Sequence, residues 1–313
     1  MSFQRRAQTV RARVSVLLAT YNGGQFLNEQ FRSIDSQTLP IARITVRDDG
    51  STDDTLLQIE KWAHGRPGVS FWRGTRLGAI DNFFTLLKRA DEDCEYFAFC
   101  DQDDVWLPDK VERAVGALRR QEHNEPAMYC SRVEYVDKDL RHLGYSKIPK
   151  EPSFANALVE NIATGCTLVL NRKAREIICS QLPQKALLHD WWCYLVVSAF
   201  GKVIYDDRPS IKYRQHAANV TGGTSSLAEI FKRRFVRFLR HPPNAKFLSD
   251  QAAEFHRYFG DVLPPEQKRI LERFLTVRGN LWRRLSYNLT MDVWRQTSID
   301  TAILRTLILI GRV

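Results

Sequence analysis

A five-residue apolar run, Tyr96-Phe97-Ala98-Phe99-Cys100, stops abruptly at Asp101-Gln102-Asp103-Asp104. Such a run reads as a strand buried on both faces. Pro108, after Val105-Trp106-Leu107, stands where the next helix would start. Three carboxylates within four residues at the end of a central strand repel one another unless a cation neutralises them. Hard oxygen ligands on a short loop suit Mg2+ or Mn2+, which keep several waters and take phosphate oxygens as further ligands. Alone, the cluster reads better as a solvated acidic loop capping the following helix, so its company decides.

That company is an alternation of strands and helices. Val14–Thr20 is β-branched and apolar and ends in the loop Tyr21-Asn22-Gly23-Gly24, before a helical pattern with Phe26, Leu27, Phe31 and Ile34 on one side. Residues 41–46 form a second strand, broken by Asp48-Asp49-Gly50-Ser51-Thr52-Asp53-Asp54. Ser51, Thr52 and Asp53 are candidate caps for a helix carrying Leu56, Leu57, Ile59 and Trp62. Residues 69–72 and 80–90 repeat the strand–helix pattern, and the run ending at Cys100 is the fourth strand. The fold class is therefore α/β, a doubly wound and mainly parallel sheet. Its ligands gather at the carboxyl ends of the strands, where the loops after Ala19, Val46 and Cys100 meet. Strands are expected over 127–136, 166–170 and 202–205, and an apolar helix from His189-Asp190-Trp191-Trp192 to Phe200.

The run Gly222-Gly223-Thr224-Ser225-Ser226 marks a boundary. It divides the chain into a basic arm (1–13), a catalytic domain (14–222) and a helical region (223–313). Beyond it, 227–239, 267–275 and 280–294 read as basic amphipathic helices, followed by the apolar run 302–310. From Ser225 to Val313 there are 16 Lys and Arg against 8 Asp and Glu, so this third carries most of the net charge of +10. A surface of that sign seeks an acidic partner, either anionic lipid or nucleic acid. The six cysteines are scattered, without a C-x-x-C pair, as expected for reduced, buried thiols in a cytoplasmic protein. The first 13 residues lack the apolar core of a signal peptide, and no apolar stretch approaches the roughly 20 residues of a membrane span.

Residues 14–22, Asp48-Asp49-Gly50-Ser51-Thr52-Asp53 and Asp101-Gln102-Asp103-Asp104, in this order and spacing, resemble family 2 glycosyltransferases of the GT-A fold. The resemblance covers about the first 220 residues. Residues 100–110, His189-Asp190-Trp191-Trp192 and Tyr213-Arg214-Gln215-His216 look most like bacterial rhamnosyltransferases of surface polysaccharide synthesis. It implies a nucleotide pocket from Thr20, Tyr21, Asn22, Asp48 and Asp49, whose carboxylates can accept the imide N–H of uracil or thymine. It maps the family's Asp-x-Asp motif onto Asp101-Gln102-Asp103, with Asp101 near the ribose or metal and Asp103 as the direct ligand of Mg2+ or Mn2+ on the diphosphate. Many relatives carry a small residue where Gln102 stands.

The resemblance further implies Asp190 as the base that takes the acceptor's hydroxyl proton, with His189 replacing the first member of an acidic pair. At a helix N-terminus, Asp190 is expected to stay ionised at neutral pH. Gly165, in Thr164-Gly165-Cys166, would lie against donor sugar or acceptor, and His216 would contact metal or diphosphate. Arg214 is a candidate phosphate partner, Trp191 and Trp192 offer a sugar-stacking face or simply core, and Asp104 is a supporting carboxylate or a helix cap. The expected reaction moves rhamnose or another sugar, with inversion, from a dTDP-sugar or UDP-sugar donor to a saccharide or lipid-linked saccharide acceptor. The basic tail would then attach the enzyme peripherally to the inner face of the cell membrane, or merely cap the sheet. A nucleotidyltransferase usually needs a basic Gly-rich loop after the first strand, whereas Tyr21-Asn22-Gly23-Gly24-Gln25 has no Lys or Arg. A nucleic-acid-binding protein would pair its charge with a zinc finger or RNP motif, and none accompanies it here.

Overall fold

The computed structural model describes residues 12–121, 124–215 and 246–313. His216, the linker at 222–226, the helix expected at 227–239 and residues 1–11 lie outside them. The first half alternates as β1 (Val14–Thr20), α1 (Gly24–Asp35), β2 (Arg43–Asp48), α2 (Thr55–Ala63), β3 (Val69–Arg73), α3 (Ala79–Arg89) and β4 (Tyr96–Cys100). There follow β5 (Val105–Trp106), α4 (Lys110–Leu118), β6 (Ala127–Ser131), β7 (Glu134–Val136), β8 (His142–Tyr145) and α5 (Phe154–Ala157). The sheet portion closes with β9 (Val169–Asn171), α6 (Arg172–Ser180), α7 (His189–Phe200), β10 (Lys202–Asp206) and β11 (Ile211–Arg214). The described C-terminal helices are α8 (Phe247–Phe259), α9 (Pro265–Leu275), α10 (Leu281–Leu289) and α11 (Ser298–Leu309).

Seven strands form the main sheet in the order β10-β6-β9-β4-β1-β2-β3. All its pairings are parallel except those of β9, which runs antiparallel between β4 and β6. The parallel register sets Thr20 opposite Asp48 and Leu18 opposite Cys100. This alignment delivers the three polar loops to one edge of the sheet. It follows from burial: β1 and β4 are covered on both faces, so sliding either strand by one residue would exchange the contents of two packed layers.

A second sheet, in the order β5-β11-β7-β8, stands beside the first. The expected single strand over 127–136 is therefore two. It breaks after Ser131, whose hydroxyl meets that of Ser210 at 2.6 Å, and the Arg132 and Val133 amides turn to the Asp206 carbonyl and the Ser146 hydroxyl. The strand expected at 166–170 is a 3-10 turn, Gly165–Thr167, followed by β9. Tyr213 and Arg214, read only as a motif, lie in β11.

The described C-terminal helices share the apolar core under the main sheet. Trp192 of α7 packs against Phe255 and Phe259 of α8 at ring-centroid distances of 5.9 and 6.5 Å, and Phe154 meets Phe255 at 5.7 Å. Trp192 is fully buried and belongs to this core, not to a sugar-stacking face. All six cysteines are free thiols, five of them buried. Among the described residues, no helix is long and apolar enough to cross a membrane.

Candidate active site

At the end of β1 and β2, Asp48 organises its own loop. It accepts from the Thr20 hydroxyl at 3.0 Å, from the Gly50 and Ser51 amides at 3.0 and 2.8 Å, and from the Ser51 hydroxyl at 2.5 Å. Asp49 pairs with Arg47 at 2.6 Å and accepts from the Leu77 and Gly78 amides at 2.7 and 2.8 Å. Both carboxylates are buried, and they first hold the β2 loop against the loop before α3. Asn22, with a left-handed φ of 48°, donates its amide to the Ser51 hydroxyl and accepts from the Thr52 amide, both at 2.8 Å. Asp53 bonds the amides of Gly24 and Thr55 at 3.1 Å each, joining the first turns of α1 and α2. Tyr21 is partly exposed, and the guanidinium of Arg76 lies 4.0 Å over its ring. The two side chains form a cation–π pair that also joins the Arg76 guanidinium to the Tyr21 hydroxyl.

The acidic loop is fastened from two sides. Gln102 clasps the backbone of Tyr21, its Oε1 accepting from the amide at 2.8 Å and its Nε2 donating to the carbonyl at 3.0 Å. Gly23 leaves space for this clasp, since a Cβ there would fall 2.1 Å from Gln102 Oε1. On the other side, buried Arg214 of β11 donates Nε to the Asp103 carbonyl at 2.9 Å and its amide to Asp104 Oδ1 at 3.2 Å. Its remaining guanidinium nitrogens bond Glu29 and the Lys138 carbonyl. Arg214 thus sets the shape of the acidic loop, and its buried guanidinium is not placed as an open phosphate contact.

Asp101 and Asp103 are partly open at the mouth of this arrangement, whereas Asp104 is sealed. Desolvation, then the charges of Asp103 and Asp190, push the Asp101 carboxyl up to about 7. A divalent cation relieves that crowding, so the residues fit one. Ligand atoms of Asp101, Asp104 and Cys166 also lie within 4.8 Å of one another. Toward Asp104, however, the buried Lys110 ammonium, 4.4 Å over the Trp106 ring, already supplies positive charge. Asp101 and Asp103 are the more open carboxylates of the loop.

Asp190 enters from the first turn of α7. Its Oδ1 accepts from Asn161 Nδ2 at 3.0 Å and the Trp191 amide at 2.7 Å, and the Gly165 amide also bonds the carboxylate. Burial raises its pKa to about 7 against the lowering effect of those bonds. The expectation that helix-terminal Asp190 simply stays ionised is thus corrected: desolvation outweighs the helix end. Gly165 is where it must be, because a Cβ would lie 2.7 Å from His189 Nε2 and 3.4 Å from Asp190 Oδ2. His189 stacks on Phe83 at 4.2 Å, and burial drives its pKa down to about 3, so it is a neutral wall beside the carboxylate. Trp191, partly buried, donates Nε1 to the Ala157 carbonyl at 2.6 Å.

Sequence reading missed Asn161, Phe83, Lys110 and Arg76. Arg76 had a legible signal, a basic loop after the third strand; Asn161 had none, lying 29 positions from its partner Asp190.

A mostly parallel sheet with three loops converging at one edge, an acidic pair there and a carboxylate brought in by a later helix define a nucleotide-sugar transferase of the GT-A fold. Residues 15–176 match the family described as "Glycosyl transferase family 2", and the chain belongs to that family. It is 32% identical over 228 residues to "dTDP-rhamnosyl transferase RfbG" of Shigella flexneri, covering 69% of this chain and 77% of that protein. It is 27% identical over 210 residues to the Escherichia coli "UDP-Glc:alpha-D-GlcNAc-diphosphoundecaprenol beta-1,3-glucosyltransferase WfaP", covering 66% of this chain and 79% of that one. Among solved structures, S. aureus TarS 1-349 in complex with UDP superimposes with a TM-score of 0.57 at 16% identity, over 96% of this chain and 87% of the other. The mannosyltransferase PcManGT of Pyrobaculum calidifontis, in complex with GDP-Man and Mn2+, gives 0.52 at 17% identity over 97% and 86%.

Proposed function

We propose that this glycosyltransferase moves a sugar, with inversion, from a dTDP-sugar or UDP-sugar to a saccharide or lipid-linked saccharide, and that rhamnose is the sugar. One observation carries the reading: Asp190 stands against Gly165, and the Sγ of the next residue, Cys166, lies within 4.8 Å of an Asp101 carboxylate oxygen. The candidate base and the acidic loop therefore lie near one another. The name of the Shigella relative supports a dTDP-rhamnose donor, and that of WfaP supports a lipid-diphosphate-linked acceptor.

In this reading Tyr21 and Arg76 receive the base, and the Thr20, Asn22, Asp48 and Asp49 network holds the loop that surrounds it. Asp101 and Asp103 would hold Mg2+ or Mn2+ against the diphosphate. Bound there, the ion supplies Lewis acidity toward the leaving nucleoside diphosphate. Asp190 takes the proton of the acceptor hydroxyl as its oxygen forms the bond to the anomeric carbon. The carbon–oxygen bond to the diphosphate breaks on the opposite face. With a pKa of about 7, Asp190 is basic enough to accept the proton and still ionised in part at neutral pH. Gly165 and neutral His189 line the approach and expel water.

Thermal shift of the purified chain with dTDP, UDP and GDP, each with and without Mn2+, tests the donor half. A rise in melting temperature with dTDP or UDP that needs Mn2+ is expected. A response to GDP alone, or one indifferent to the metal, contradicts the assignment. Transfer from dTDP-rhamnose, analysed by mass spectrometry and NMR of the product linkage, tests the sugar and the inversion.

A further inference from the structure

α10 and α11 pack as an antiparallel pair. Asn288 Nδ2 donates to the Arg305 carbonyl at 2.9 Å, and Arg284 donates to the Leu309 carbonyl at 3.1 Å. Each helix is anchored by a buried face, Tyr287 in α10 and Leu304 with Ile308 in α11. Each also leaves an apolar stripe in solvent. On α10 the stripe is Leu281, Trp282, Leu285 and Leu289, with Trp282 79% and Leu289 84% exposed. On α11 it is Ile299 (65% exposed) and Ile303, with Ile310 just beyond. A lone exposed leucine needs no explanation, but a tryptophan and several aliphatic side chains along two paired helices do.

The charge around this surface is mainly positive, with Arg278 paired to Asp250 at 2.7 Å. From Arg278 to Val313 there are six arginines and two carboxylates, Asp292 and Asp300. Asp292 is paired with Arg269 and Arg273, and Asp300 is buried at the start of α11, accepting from the Thr297 hydroxyl. Where α11 begins, a cleft of about 470 Å³ opens between it and the segment before α5. Its lining includes Lys150, Trp294, Arg295 and Arg305 against the single carboxylate Glu151. Lys150 Nζ stands 5.8 Å over the Trp294 ring. Ser298 and Ala302, which line the cleft, are the sequence neighbours of Ile299 and Ile303 on the stripe. A cleft with three basic side chains and one carboxylate thus borders an apolar surface.

We infer that α10 and α11 form a membrane-docking surface for an anionic phospholipid bilayer. The stripe enters the interface between headgroups and acyl chains, and the cleft at the start of α11 takes a lipid phosphate. An apolar face fringed by arginine is the pattern of an interfacial helix, and each Lys or Arg near an anionic surface strengthens attachment about fivefold. A peptide groove or a second copy of the chain would use the apolar stripe but not the unbalanced charge beside it.

Flotation of the full chain with phosphatidylglycerol/phosphatidylethanolamine vesicles, and with pure phosphatidylcholine vesicles, tests this. The protein should float with the anionic vesicles and stay behind with the neutral ones. Trp282→Ser/Leu285→Ser/Leu289→Ser should cut recovery at least tenfold with an unchanged melting temperature, since these side chains are exposed. Lys150→Ala should weaken partitioning about fivefold. Failure of the wild-type chain to float, or undiminished flotation of the triple variant, overturns the inference. So does a dimer, seen by light scattering, that the triple variant converts to monomer. The readout uses no sugar transfer, so it stands or falls apart from the donor and acceptor assignments.

Discussion

Asp190 and Gln102 exert their effects in different currencies, one kinetic and one conformational. Only the unprotonated Asp190 can accept a proton, and its pKa of about 7 sets the pH at which half the enzyme is competent. The rate constant kcat/KM for the acceptor should therefore fall tenfold per unit below about pH 7 and level off above it. A flat profile between pH 5 and 9 contradicts the base assignment. Asp190→Asn should leave donor affinity within twofold while transfer drops by about two to four orders of magnitude, the usual worth of a positioned base. Gln102→Ala removes both bonds to the Tyr21 backbone, a loss of about 1–2 kcal/mol. Its signature should be a lower melting temperature and a raised donor KM, with the pH profile unmoved. The positions of Asp101, Asp103 and Asp190 were legible because acidic residues at strand and helix ends are visible as pattern. The clasp of Gln102 was not, because an amide bonded to a backbone 81 positions away leaves no trace in local sequence.

At the scale of elements, strand β11 is where pattern reading fell short. In the sequence Tyr213 and Arg214 stand only as part of a motif, yet Arg214 lies in a strand and is buried because its charge is matched by Glu29 and its remaining donors by carbonyls of the acidic and β7–β8 turns. Periodicity cannot report such a partner. Helices α1, α2 and α7 were readable within a residue or two, since their apolar faces are continuous and their starts polar. The split of 127–136 was hidden for the opposite reason: both pieces are apolar, and only the serine and carbonyl contacts after Ser131 divert the chain. Arg214→Met, similar in length but without donors, should cost about 3 kcal/mol in urea unfolding. It should also abolish the Mn2+-dependent part of the nucleotide thermal shift, because the acidic loop loses its fixed shape.

For the whole molecule, the packing of α8 on α7 joins the described C-terminal helices to the catalytic sheet. Phe255 is fully buried between Trp192 and Phe154, 98 positions after the end of α5 in sequence yet in ring contact with α5 and α7. Phe255→Ala should cost about 3–5 kcal/mol. Sheet and helices should still melt in one transition by calorimetry; two separated transitions would mean that the shared core does not couple them. The division of the chain at its Gly/Ser-rich run was drawn from composition, which registers linkers but not the contacts that close across them.

The antiparallel strand β9 has a further consequence for how such enzymes diversify. Under the proposed function, the residues assigned to the nucleobase and cation lie before β5, at or just beyond the ends of strands that pair in parallel. Gly165, His189 and Asp190 come from a later stretch that returns to the sheet by inserting β9 between β4 and β6. Substitutions in the excursion between β6 and β9 can therefore reshape what approaches Asp190 without shifting the register that aligns Thr20, Asp48 and Cys100. If the proposed function holds, donor and acceptor preferences would be encoded on separate stretches of one chain, and either could drift while the other is held.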